Sequence, residues 1–183
     1  MSEAELLLVG VTMILATGLV RCVDGIYHSM TSQRRYWMPQ VLLWSTFIYG
    51  VNFLWAYKNN LSIDPTWMVY ASSIAIASTF VLRGHILASS NPEQIEDWAK
   101  HFEKSARPYF IVAFLTSISS LVAAWAANDS TGYDAQSIPF WIGAGLNVIG
   151  AISGKVWVRG TVAVTHFILV ILASYILFSN EMI

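Results

Sequence analysis

The chain has 183 residues, of which 56% are hydrophobic and only 11% charged, whereas soluble domains average about 25% charged. Ten Lys and Arg against eleven Asp and Glu leave a formal net charge of -1, which offers nucleic acid no basic footprint. A lone cysteine, Cys22, excludes an internal disulfide.

A hydrocarbon core of about 30 Å takes roughly 17 to 25 helical residues to cross. Stretches of that length occur at approximately 6–27, 37–57, 66–84, 108–127, 138–155 and 161–179. The sequence therefore predicts an all-α polytopic protein, one membrane domain over 1–183 with six transmembrane helices. Glu3 and Glu5 stand where a secretory signal carries positive charge, so no cleaved leader is expected. Arg21 occupies the position before Cys22 where a lipoprotein cleavage box needs a small residue.

The first span ends in a polar run, RCVDGIYHSMTSQRRYW. Arg21 lies roughly 24 Å from the outer end of that span, within snorkelling reach of the inner interface. Asp24, three residues on, shares its helix face and can pair with it. The pair reads either as an interfacial stop that sets orientation or as part of a cytoplasmic vestibule.

Six spans put the loops after spans one, three and five on one side. That side collects Arg21, Arg34, Arg35, Arg83, Lys100, Lys104, Arg107, Lys155 and Arg159, leaving Lys58 as the one basic residue opposite. Retention of Lys and Arg on the cytoplasmic side then predicts a cytoplasmic, or inner, membrane protein with both termini outside. Glycine-rich span five, 138–155, competes with a re-entrant segment. A re-entrant segment would move Lys155 and Arg159 across and weaken the bias. The outer loops carry Asp64, Asp129 and Asp134, flanked by Trp55, Trp67, Trp125 and Trp141 as an aromatic belt. Pro65 and Pro139 begin spans where a missing N–H costs nothing. Asn60-Leu61-Ser62 and Asn128-Asp129-Ser130 match the glycosylation sequon.

Between spans three and four, SSNPEQIEDWAKHFEKSARPY reads as an amphipathic surface helix over 92–106. Pro92 suits its first turn, early acids and late bases oppose the helix dipole, and Ile95, Trp98 and Phe102 share one face. That face is expected to meet the inner membrane surface or a protein partner. Asp97 and His101, four apart, are too few ligands for a metal site.

Within the spans, Asn147 is the polar side chain nearest mid-membrane. Gly143, Gly150 and Gly154 form a stripe around it that lets another helix approach closely, within the bundle or across a homodimer seam. Ser72, Ser73, Ser78 and Thr79 in span three, and Thr116, Ser117, Ser119 and Ser120 in span four, read as small polar packing residues. Asn52, Arg83, His85, Asn147 and His166, with Arg21 and Asp24, mark a candidate polar pathway or vestibule. No acid or base falls in the middle of a span, which weakens a coupled-transporter reading. Nucleophile elbows, phosphate loops, HExxH and CxxC are absent. No catalytic residue, metal set or cofactor is therefore predicted. The landmarks Arg35-Tyr36-Trp37, Trp55, Pro65, Trp67 and Arg83 recur in order as Arg107, Tyr109, Trp125, Pro139, Trp141 and Arg159. Interfacial Trp, Pro and Arg generate much of that pattern without a duplication.

The stretch Arg34 to Trp44, RRYWMPQVLLW, followed by Asn52-Phe53-Leu54-Trp55, resembles a group of small uncharacterised bacterial inner-membrane proteins. Their second span starts Tyr-Trp-x-x-Leu-Leu-Trp and ends Gln-x-Phe-Trp-Trp; here Asn52 and Leu54 depart from that ending. The resemblance covers about half the chain and implies location and helix count, with no activity attached. Three functional classes remain from the sequence. The first is a non-enzymatic membrane component that binds partners through the loop helix or the glycine face. The alternative is a small-solute transporter or channel lined by Asn52, Asn147 and His166. The third is a haem-holding membrane oxidoreductase using two of the four histidines.

Overall fold

The computed structural model describes residues 3–59, 66–128 and 137–179. The outer-loop acids Asp64, Asp129 and Asp134, Pro65 and both sequons fall wholly or partly outside them. Among the described residues there are six α-helices and no strand: α1 Glu3–Thr31, α2 Trp37–Asn59, α3 Trp67–Ala88, α4 Trp98–Asn128, α5 Ile138–Ile152 and α6 Val156–Ser179. All-helical architecture is what lipid demands, because a helix satisfies its own backbone donors and acceptors where water is absent.

Contacts fix the directions of the helices. On α1 and α3 the pairs Gly18 with Phe80 and Gly25 with Ala88 advance together, so these helices run parallel. On α3 and α4, Thr79 meets Thr116 while Arg83 meets Tyr109, so these run antiparallel. Asn52 meets Ser174 and Met38 meets Gly160, which makes α2 and α6 parallel. The helices thus alternate up and down and close a ring in the order α1, α3, α4, α5, α6, α2. α2 leans inward far enough to touch α3 and α4. Because α2 packs chiefly on α1 and α6 whereas α4 packs along α3 and α5, the two hairpins of the sequence pattern do not occupy equivalent places.

Four helical stretches are long and apolar enough to cross a membrane: Glu5–Thr31, Trp67–Gln94, Trp98–Ala126 and Val156–Ile176. α2 has the length, 23 residues, but its Trp, Tyr, Gln and Asn dilute its hydropathy. α5 has 15 residues, about 22 Å of helix, and stops at Ile152 instead of reaching 155.

The separate surface helix expected over 92–106 does not form. Pro92–Gln94 is a single 3-10 turn, and α4 starts at Trp98 and continues through Pro108 to Asn128. Proline removes one backbone hydrogen bond, yet the helix carries on. The reason is one continuous buried stripe: Trp98, Phe102, Ala106, Tyr109, Phe110 and Ala113 are all at most 2% exposed and follow the helical period. Trp98 and Phe102 consequently face the core. Ile95, half-buried, lies outside any helix.

Close approach is concentrated at α1 against α3. A Cβ added to Gly18 would sit 2.9 Å from the backbone nitrogen of Val81, and one on Gly84 would sit 3.1 Å from the Gly18 carbonyl oxygen. In α5, Gly150 is the glycine that admits a neighbour, the Phe110 ring, and Gly143 lies in ordinary contact with Ser117. Gly154, predicted as the second glycine of that seam, lies beyond the helix with nothing within 4 Å of an added methyl.

These contacts separate glycines that matter from those that do not. Gly18→Ala forces backbone against backbone and should cost about 1–3 kcal/mol. Gly145→Ala, with open space at its Cβ, should stabilise α5 by about 0.5–1 kcal/mol. Thermal unfolding of the two variants in detergent checks the contrast; equal responses would contradict the packing.

Candidate functional site

Gly84 faces α1, and one residue earlier the helical rotation carries Arg83 to the inside of the ring. Its Cα lies about 7 Å along the axis from the end of α3, near enough for an arginine to extend to water. Arg21 does so: its side chain is 29% exposed, pairs with Asp24 at 3.4 Å and donates to the Ser90 carbonyl at 3.1 Å. Arg83 instead is 1% exposed. Its guanidinium carbon lies 5.1 Å from the centre of the Tyr109 ring and 5.6 Å from that of Phe80, between two core clusters of which those rings are members.

One hydrogen bond anchors it. Arg83 Nη2 donates to Tyr109 Oη at 2.7 Å. Since a guanidinium only donates, the phenol proton goes onward, with Thr46 Oγ1 at 3.1 Å and the Leu42 carbonyl oxygen at 3.4 Å. Thr46 in turn donates to the Leu42 carbonyl at 2.8 Å. Arg83, Tyr109 and Thr46 thus form one polar chain that ends on the Leu42 carbonyl. Arg83 Nε has no partner, and among the described residues no carboxylate pairs with Arg83. Enclosing a guanidinium away from water carries a desolvation cost. Cation–π contact with two rings offsets part of this.

Beyond Arg83 the interior is polar but uncharged. Tyr49 Oη bonds Ser120 at 3.0 Å, Asn52 Nδ2 donates to Ser174 Oγ at 2.7 Å, and Thr116 donates to Thr79 at 2.9 Å. Tyr49 is edge-on to Phe80 with ring centres 5.4 Å apart and also borders a cavity of about 60 Å³, whose wall is mostly apolar (Phe140, Leu169, Val170) with Asn52, Ser117 and His166 as its other polar members; Arg83 does not border it. At about 30 Å³ per water, that volume holds two. Two buried acceptor-capable atoms at this level lack partners, His166 Nδ1 and Asn147 Oδ1. Asn147 Nδ2 reaches Ser117 Oγ only at 3.5 Å.

The residues predicted as one pathway therefore divide. Asn52 and His166 border the cavity, Asn147 stands behind Ser117, and Arg83 adjoins through Phe80 and Tyr49. Arg21 and Asp24 belong to the inner end, where His28 Nε2 lies 3.5 Å from Asp24, and His85 is half-buried on α3. Sequence reasoning missed Tyr109, Thr46 and Tyr49, since nothing in their spacing pairs residue 83 with 109 or 49 with 120. The four histidines are dispersed, His101 bonding the Leu87 carbonyl at 2.9 Å. Among the described residues no three of His, Cys, Asp or Glu converge on a common metal position.

Asp97 closes the inner end. Its Oδ1 accepts from the backbone N–H groups of Ala99 and Lys100, both at 3.1 Å, which makes it the cap of α4. Its Oδ2 meets Arg34 at 3.4 Å. A wider inner cavity of about 600 Å³ lies alongside, bordered by His28, Arg34, Glu93 and Glu96.

No family model, curated protein or solved structure matches the chain.

Two expectations follow from the hydrogen bonds. Tyr109→Phe strands Arg83 Nη2 and should cost about 1.5–3 kcal/mol, against about 0.5–1.5 kcal/mol for Thr46→Ala, which removes a neutral link; chemical unfolding in detergent compares them. Donation from Lys100 N–H above all, with help from Arg34 and Ala99, holds the Asp97 carboxyl below its ordinary 3.8. Its folded-state value being lowered, the cap stabilises α4 above the ordinary carboxylate range and is lost as pH falls through it. Hydrogen-exchange protection at Ala99 and Lys100 should fall over that acid window, and Asp97→Ala should show the low protection at every pH.

Proposed function

We propose that the chain is a multi-pass protein of the cytoplasmic membrane, both termini outside, that conducts or carries a small polar solute through the site between α2, α4, α5 and α6. Eight of the ten basic residues gather toward the end of the bundle where the loops 32–36, 89–97 and 153–155 lie, with Arg83 enclosed near the same end, which supports that orientation. The observation carrying the functional reading is the cavity bordered by Asn52, Ser117 and His166. Its wall is mostly apolar, with Phe140, Leu169 and Val170 beside those polar groups, and cavities at membrane depth lined from several helices are where solute pathways are built.

A partner-binding role fits less well. The surfaces it would use are occupied from within the chain, Trp98 and Phe102 by the core and Gly150 by Phe110. A haem between histidines fits less well still, because the cavity beside His166 has room for about two waters and the other histidines are engaged or distant.

Purified protein in liposomes should accelerate osmotic relaxation for at least one solute in a panel of urea, glycerol, chloride, nitrate and formate. Gly143→Leu and Ala173→Phe, each filling the cavity from a different helix, should cut that rate by about tenfold or more. Relaxation indistinguishable from protein-free vesicles for the whole panel would rule the reading out.

A further inference from the structure

We infer that the flank of α4 left bare where α5 ends is a binding site for an anionic phospholipid. Lys104, Arg107 and Lys155 hold its phosphate, and its acyl chains lie along the outer faces of α4 and α5. Such a site needs the helices to lie in a bilayer, but it needs no solute to pass between them.

The two helices end at different depths. Phe110 on α4 packs against Gly150 on α5. From that level α5 continues only to Ile152, whereas α4 continues inward to Trp98, about 3 Å of helix against about 18 Å. α6 packs on α5 and α2 and does not take over this flank. Helical rotation puts Arg107, Lys100 and Lys104 about 60°, 80° and 120° from Phe110, turned away from buried Tyr109 and Ala113, and all three are exposed. Glu103 is the one acid in α4. Across the gap, Lys155 is exposed in the short loop after α5, and Arg159 follows one turn later, half-buried, with its Nε unpartnered. Among the described residues none of these five cations forms an ion pair.

Immediately outward the same surface turns apolar. Ile111 and Leu115 on α4 and Ile149 and Ile152 on α5 are exposed, so a strip suited to hydrocarbon ends where the basic residues begin. A free anion would use only the charged half of this surface, while a molecule with a phosphate at one end and hydrocarbon at the other uses both. Basic pockets between spanning helices take anionic headgroups in this way. Five cations against Glu103 also favour a headgroup of net negative charge over a zwitterionic one, whose ammonium would face lysine and arginine.

Native mass spectrometry of the purified, delipidated full-length protein in detergent reads the site, with phosphatidylglycerol and phosphatidylcholine of identical acyl chains as probes. Phosphatidylglycerol should bind about tenfold more tightly or better. Arg107→Gln and Lys155→Gln, at exposed positions where substitution costs the fold little, should each weaken it by about fivefold. Arg35→Gln, the same loss of charge from the loop between α1 and α2, should leave it unchanged. Equal affinity of the wild type for the two lipids would overturn the inference, whether or not any variant folds. So would equal losses in all three variants, since the attraction would then belong to the basic rim as a whole. Glycerol 3-phosphate, the headgroup phosphate without chains, should not displace the lipid; full displacement would make the occupant a free phosphate and sink the lipid. A dimer that excludes lipid would sink it too, because a second copy would then cover the flank.

Discussion

A positive charge enclosed by helices and unmatched by a carboxylate is the constraint to which the rest of this bundle answers. Arg83 could have reached water from its place near the end of α3, as Arg21 does from α1. It is held inside by the Tyr109 hydroxyl and the faces of two aromatic rings. Each of those restraints is weaker than a buried ion pair, and together they leave Nε unsatisfied. An arrangement that keeps a desolvated charge and omits its partner is a poor way to build stability.

The glycines of α1 and α3 make that placement unavoidable. Gly18 and Gly84 bring two backbones together so closely that no side chain fits between them. Once Gly84 is committed to that seam, the residue before it is rotated about 100° around the helix, toward α4 and the ring interior. Phe80, three residues earlier, follows onto the same inner face and becomes the floor on which the guanidinium rests. The seam between α1 and α3 and the position of Arg83 are thus one geometric fact.

Much of the fold is legible in the sequence, and the manner of its failures is instructive. Helix type and approximate extent follow from apolar runs whose lengths match a bilayer. The Arg21–Asp24 pair follows from spacing on one helix, and it forms. The surface helix over 92–106 and the span over 108–127 read as separate elements in the sequence, whereas Trp98, Phe102, Ala106 and Phe110 continue a single buried stripe across Pro108. Weighing burial ahead of punctuation would have found α4. The glycine stripe of α5 was assigned by motif; the seam with the closest backbone approach lies at Gly18 and Gly84, which stand on different helices and form no local pattern. Arg83 looked like an orientation signal because its sequence position is near a helix end, and only three-dimensional rotation distinguishes an arginine that snorkels from one that is enclosed. Tyr109 was invisible as its partner for the same reason.

The distribution of charge ties the two ends of this reading together. Lys and Arg at the inner loops outnumber the acids there, so the same face that fixes orientation also presents a positive rim. Behind it the interior holds one further positive charge and the N-terminal end of α5, with the described acids kept toward the helix ends. Neutral hydroxyls and amides fill the space between, and their protons drain into backbone carbonyls, from Tyr109 through Thr46 and from Asn52 through Ser174. A pathway for a cation would need the opposite: carboxylates or carbonyl rings facing inward. Neither the hydroxyls nor the aromatic faces can neutralise a guanidinium, so the Arg83 charge stays uncompensated by any described carboxylate.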